Sequence, residues 1–161
     1  MNLLQLTVFA DYFQIYLNDY SAIESYMPEW SNEDYQTMLH ADTNGIVIST
    51  VRNMDVEVNI KIEESGPQID FSKWDHVVES GLELSTGELV IRGATELTES
   101  AFRIRLNPGG YRFLFCYSGL GTLSEDGLEG DDKYSVFIWR GDAHLKKTVL
   151  KQWPGTIITG G

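Results

Sequence analysis

The chain has 161 residues, 42% of them hydrophobic and 12% aromatic, and a formal net charge of -12; such a length can bury a full core and suits one domain spanning residues 1–161. Eight Tyr, seven Phe and four Trp argue against disorder in spite of the charge. Nonspecific binding of DNA, RNA or anionic lipid is disfavoured, because it needs clustered Lys and Arg to neutralise phosphate, so the expected partners are neutral or cationic.

The opening residues Met1-Asn2-Leu3-Leu4-Gln5-Leu6 carry no basic stretch, and no apolar run is long enough to span a bilayer, which makes cytoplasmic residence the expectation. Phe13 to Leu17 alternates weakly and predicts a strand. In Trp30-Ser31-Asn32-Glu33-Asp34-Tyr35-Gln36-Thr37-Met38-Leu39 the apolar residues fall at helical intervals, which predicts one short helix near residues 31–40. Ser31 suits its N-cap, Asp34 the capping-box position, and Trp30 with Tyr35 the two ends of a hydrophobic staple. Trp30 therefore reads as an anchor for the helix ahead of a ligand-stacking residue.

Beyond the Asn44-Gly45 turn, a β-branched run at Ile46 to Val51 predicts a strand. The clearest alternation follows in Val56-Glu57-Val58-Asn59-Ile60-Lys61-Ile62-Glu63, aliphatic at every even position and polar at every odd one. His76 to Leu84, Leu89 to Arg92, Phe102 to Leu106 and Tyr111 to Tyr117 extend the series, with Ser85-Thr86-Gly87 and Asn107-Pro108-Gly109-Gly110 as turns between them. Pro108 and Gly109 fit the central positions of a type II turn. Tyr134 to Trp139 and Lys147 to Leu150 close the series. About nine short strands with one helix predict an all-β, antiparallel, jelly-roll-like β-sandwich, with a small closed barrel as the alternative. No internal repeat or proline-rich linker divides the chain.

Catalytic chemistry finds little support. The one cysteine, Cys116, lies in an apolar run, so it reads as a buried inert thiol and neither an intrachain disulfide nor a thiolate metal cluster can form. His40, His76 and His144 share no metal-ligand spacing. Asp75 and His76 are neighbours on a strand and point to opposite faces, which opposes a base with its orienter and leaves His76 as a polar residue at a strand edge. Nucleophile elbows and phosphate-binding glycine loops are missing, and paired carboxylates for glycoside hydrolysis have no confirming motif.

The densest local feature is Glu125-Asp126-Gly127-Leu128-Glu129-Gly130-Asp131-Asp132, five carboxylates between two predicted strands with Lys133 beside them. Three readings apply: a solvated connection that keeps an edge from aggregating, a calcium site of hard oxygen ligands that lacks EF-hand spacing, or a recognition loop for a basic protein. In the last, Glu125, Asp126, Glu129, Asp131 and Asp132 are the candidate partner-binding residues.

Tyr12-Phe13-Gln14-Ile15-Tyr16, Glu29-Trp30-Ser31-Asn32-Glu33 and Val51-Arg52-Asn53 resemble, in order and spacing, the competence protein J family, which includes an inhibitor of a nuclease of DNA uptake; Pro108-Gly109-Gly110-Tyr111-Arg112 resembles a later segment of that family. The acidic stretch and the region from Trp74 to Glu99 are longer than the family pattern. The positions that carry over are Tyr12, Gln14, Trp30, Arg52 and Asn53, with packing expected for Tyr12 and Trp30 and hydrogen-bonded bracing of a strand end for Arg52 and Asn53. The resemblance implies a non-catalytic protein that inhibits a basic partner enzyme such as a nuclease, with no cofactor. The alternative is a small-ligand or carbohydrate-binding sandwich, with calcium in the acidic loop and Trp74, Trp139 or Trp153 as a stacking platform.

Overall fold

Alternating side chains dictate two sheets that close on each other. In the computed structural model, which describes residues 3–22 and 25–155, the strands are β1 (Leu3–Phe9), β2 (Gln14–Asp19), β3 (Leu39–Asp42), β4 (Gly45–Ser49), β5 (Asp55–Ile62), β6 (His76–Leu84), β7 (Glu88–Gly93), β8 (Phe102–Arg105), β9 (Gly109–Ser118), β10 (Lys133–Arg140) and β11 (Thr148–Lys151), with one α-helix, α1 (Asn32–Thr37). Six strands form one sheet in the order β1-β5-β10-β9-β6-β11, and five form the other in the order β3-β4-β2-β7-β8. The fold is thus a mostly antiparallel β-sandwich with one short helix, as its periodicity predicts. One parallel pair, β5 with β10, interrupts the antiparallel rule.

The parity read from the sequence sets the core. Val56, Val58 and Ile60 of β5, Tyr111, Phe113, Phe115 and Tyr117 of β9, and Ile15 and Leu17 of β2 are buried in one cluster between the sheets. The opposite face of the six-stranded sheet is covered as well: Val77, Leu114 and Cys116 pack beneath Ile69 and Trp74, with Phe137 and Trp139 alongside. That second layer explains why β9 is buried on both faces from Tyr111 to Tyr117. Burial pushes the Cys116 thiol up to about 12, which makes it inert at neutral pH.

Two strands escaped the sequence reading. β1 carries Leu4, Leu6 and Val8 toward the core but sits at the sheet edge, and β3 is only four residues long and begins within the predicted helix. The helix stops early because Met38 adopts a left-handed cap (φ 60, ψ 30), after which Leu39 pairs with Ile48. Its start is as predicted: Ser31 Oγ accepts from Asp34 N–H at 3.1 Å and Asp34 Oδ2 accepts from Ser31 N–H at 3.0 Å, while the Trp30 and Tyr35 rings lie 5.2 Å apart. The segment 107–110 is no type II turn. It carries the chain from β8 in one sheet to β9 in the other; Gly109 has φ +144, and a Cβ there would meet the Arg140 guanidinium.

Candidate functional site

The acidic stretch belongs to the connection from β9 to β10, two central strands of the six-stranded sheet. Backbone and hydroxyl groups organise it. Ser124 N–H donates to Glu129 O at 2.7 Å, Glu129 N–H to Ser124 Oγ at 2.9 Å, and Asp131 N–H to Thr122 Oγ1 at 2.7 Å. Asp126 Oδ1 accepts from Ser124 Oγ at 2.6 Å and from Leu128 N–H at 3.0 Å, and these bonds hold its carboxyl below the usual range. Gly127 supplies the left-handed residue at the tip (φ +74).

The five carboxylates do not behave as one group. Glu125, Asp126, Glu129 and Asp131 are exposed, whereas Asp132 turns inward with its side chain fully enclosed. Asp132 Oδ1 pairs with Arg52 Nε at 2.6 Å and Oδ2 accepts from Tyr134 Oη at 2.7 Å. The Tyr134 oxygen in turn accepts from Val51 N–H at 2.9 Å, and Arg52 also donates to Leu128 O at 3.1 Å. Arg52 thereby fastens both the root and the middle of the loop. Among the described residues no three His, Cys, Asp or Glu side chains gather as metal ligands.

The residues singled out by the resemblance form a continuous piece of structure. Tyr12, Gln14 and Trp30 line a cleft of about 490 Å³ that Met27, Glu29 and Tyr35 help to enclose. Asn53 Oδ1 accepts from Tyr12 N–H at 3.0 Å, which ties the cleft to the segment whose Arg52 holds the acidic loop. Bracing by Arg52 and Asn53 is as expected. Tyr12 corrects the expectation of packing: it is 61% exposed and left-handed, at φ 58 and ψ 23. Gln14 Oε1 accepts from Tyr16 Oη at 3.0 Å. Trp30 staples α1 as predicted, yet its Nε1 is buried with no acceptor among the described residues.

His76 also corrects the sequence reading. It begins β6, which lies between β9 and β11, and is fully buried. Its Nε2 lies 2.6 Å from Thr37 O at the end of α1, and its Nδ1 accepts from Trp153 N–H at 3.1 Å. Burial pushes its pKa down, with the bond to Thr37 acting against that. Asp75 faces elsewhere and accepts from Leu120 N–H, so the two form no dyad. Trp74, Trp139 and Trp153 are partly buried against apolar clusters, and Trp139 also lines shallow surface clefts.

A polar cluster escaped sequence reasoning. His40 lies 2.8 Å from Asp34 Oδ2 through Nδ1 and 2.9 Å from Asp42 Oδ2 through Nε2, while Lys147 Nζ reaches Asp34 Oδ1 at 2.6 Å and Leu39 O at 2.7 Å. Burial pushes the Asp34 carboxyl up, but the bonds from Lys147 and His40 together hold it lower than usual. His40 and Asp42 are two apart on a strand and so share a face, a signal present in the sequence. Lys147 lies far along the chain and leaves none.

An acidic two-sheet β-sandwich with a braced, carboxylate-bearing hairpin loop is the class of protein that these features define. No family model matches the chain, and no curated protein matches it by sequence. Among solved structures, ComJ from Bacillus subtilis, an inhibitor of the DNA degrading activity of NucA, is similar with a TM-score of 0.65 and 13% identity, over 88% of this chain and 96% of that one. The protein described as crocagin biosynthetic gene J is similar with a TM-score of 0.60 and 16% identity, over 88% of this chain and 98% of that one. The likeness shows a shared fold, and that fold is the one the resemblance in the sequence implies. No helix among the described residues is long and apolar enough to cross a membrane.

Proposed function

We propose that this chain is a non-catalytic binding protein of the cytoplasm that covers the basic surface of a partner, a nuclease being the partner of choice. The observation that carries the reading is the division of the acidic loop: Glu125, Glu129 and Asp131 are exposed on a hydrogen-bonded frame, Asp126 is exposed while bonding that frame through Oδ1, and Asp132 with Arg52 fixes the frame to the sandwich. A preorganised negative surface loses little freedom on binding and speeds encounter with a cationic one. ComJ, which inhibits the DNA degrading activity of NucA, has the same fold and motivates the choice of a nuclease.

The test is a DNA-degradation assay with a nuclease captured from source-cell lysate on the immobilised protein and identified by mass. Added wild-type protein is expected to protect the DNA, and E125Q/D126N/E129Q/D131N to lose that protection. Protection by the wild type should weaken steeply with salt, since exposed charges separated by more than about 8–10 Å are screened near physiological ionic strength. Equal protection by the neutralised variant removes the loop from the interface.

A further inference from the structure

The cleft at Tyr12 and Trp30 has no part in the acidic loop, yet it concentrates the features of a binding site. Its volume of about 490 Å³ lies within the range of ligand pockets. Aromatic side chains dominate its wall, and among the described residues Glu29 is the one charged side chain lining it. Tyr12 and Phe13 are consecutive left-handed residues without being glycine, at φ 58 and 62. Such backbone is costly and persists where its geometry is used. Tyr12 and Met27 stand out at 61% and 64% exposure, large apolar groups left on the rim of a concave surface.

We propose that this cleft receives an arginine side chain from the surface of a basic protein. A planar guanidinium stacks on aromatic faces and pairs with a carboxylate, which is the combination that Tyr12, Trp30, Tyr35 and Glu29 offer. The side-chain methylenes would lie along Met27 and Pro28. An anionic group would meet Glu29 and a chain of net charge -12, and a purely apolar one would desolvate Glu29 without replacing its hydration. The identity of the donor as a basic protein rests on the proposed function; the chemistry of the cleft does not depend on the loop.

The test is a titration of the full-length protein with acetyl-arginine-methylamide, read on the Trp30 indole ¹⁵N–¹H resonance assigned with W30F. Acetyl-citrulline-methylamide and acetyl-norleucine-methylamide serve as the uncharged comparisons. The arginine probe is expected to shift the Trp30 resonance and to bind about tenfold more tightly than the citrulline probe, which lacks both cation–π and ion-pair contributions. E29Q and Y12A, both at exposed positions, should each weaken it about threefold. E125Q/D126N/E129Q/D131N should bind the probe as the wild type does. The proposal is overturned if no shift develops at the solubility limit of the arginine probe, if citrulline binds equally, or if the loop variant loses binding while E29Q and Y12A keep it. Probe binding together with undiminished DNA protection by the loop variant sustains the cleft and defeats the loop's role; protection without probe binding does the reverse.

Discussion

The acidic loop and the aromatic cleft hang from opposite ends of the same short segment, and they are built in contrary ways. In the loop, hydroxyls and backbone donors close on one another, its inward carboxylate is paired by Arg52, and glycines take the left-handed positions at Gly119 and Gly127. In the cleft, Tyr12 and Phe13 occupy left-handed backbone that glycine would adopt without strain, and Trp30 Nε1 is buried with no acceptor among the described residues. Charge density marks the first region in the sequence, while unrelieved cost marks the second in the structure. A dense run of carboxylates can therefore be largely a well-made loop, and a surface with little charge can hold the more unusual local structure.

The largest effect should come from cutting the loop's anchor. Arg52→Ala leaves Asp132 buried without its cation and should cost about 3–5 kcal/mol in unfolding free energy by urea denaturation. A loss below about 1 kcal/mol would place Asp132 in water and dissolve the distinction between it and its four exposed neighbours.

The response to pH should divide between one histidine and two carboxylates of the sandwich. His76 holds the end of α1, and its folded pKa is depressed, chiefly by burial. The unfolded chain therefore binds the proton more readily, and stability should decline as pH falls below about 6.5, the ordinary histidine value. Asp19 and Asp34 are also depressed: burial opposes this, but hydrogen bonds outweigh it. Their contribution is fully present above about pH 4 and is lost only as the pH falls through the lower folded values. Urea midpoints measured from pH 8 to pH 3 should show an early decline that His76→Phe removes and a later one that it leaves.

Smaller effects refine the contrast. Ser31→Ala opens the capping box behind the Trp30 staple and should cost about 1 kcal/mol, read by thermal melting. Tyr12→Gly should raise stability by about 0.5–1 kcal/mol, because relief of left-handed strain exceeds the added freedom of the unfolded chain. Paired with weaker binding of the arginine probe, that gain would identify Tyr12 as a residue kept for function at the expense of stability.

Much of the sandwich was legible because burial on one face writes a period of two into the chain. β5 shows it plainly, and the Ser31-to-Asp34 capping box was readable down to its partners. β3 was hidden because Met38 and Leu39 continue a helical spacing that only the left-handed turn at Met38 breaks. The parallel pairing of β5 with β10 joins segments far apart in sequence, and nothing local encodes it. The acidic loop was visible as charge, but its division was not: whether Asp132 faces water depends on Arg52 and Tyr134. The cleft was seen only as separate positions, Tyr12, Gln14 and Trp30, that the fold brings to one wall.

The most direct test of the central proposal compares wild type with E125Q/D126N/E129Q/D131N in two readings on the same samples: the urea midpoint, and protection of DNA against the captured basic nuclease across a salt series. An unchanged midpoint with protection lost, and with the salt dependence of the wild type abolished, is the expected result. Protection retained at wild-type strength, or a midpoint that falls as far as that of Arg52→Ala, would contradict a loop whose exposed carboxylates serve the partner while Asp132 serves the fold.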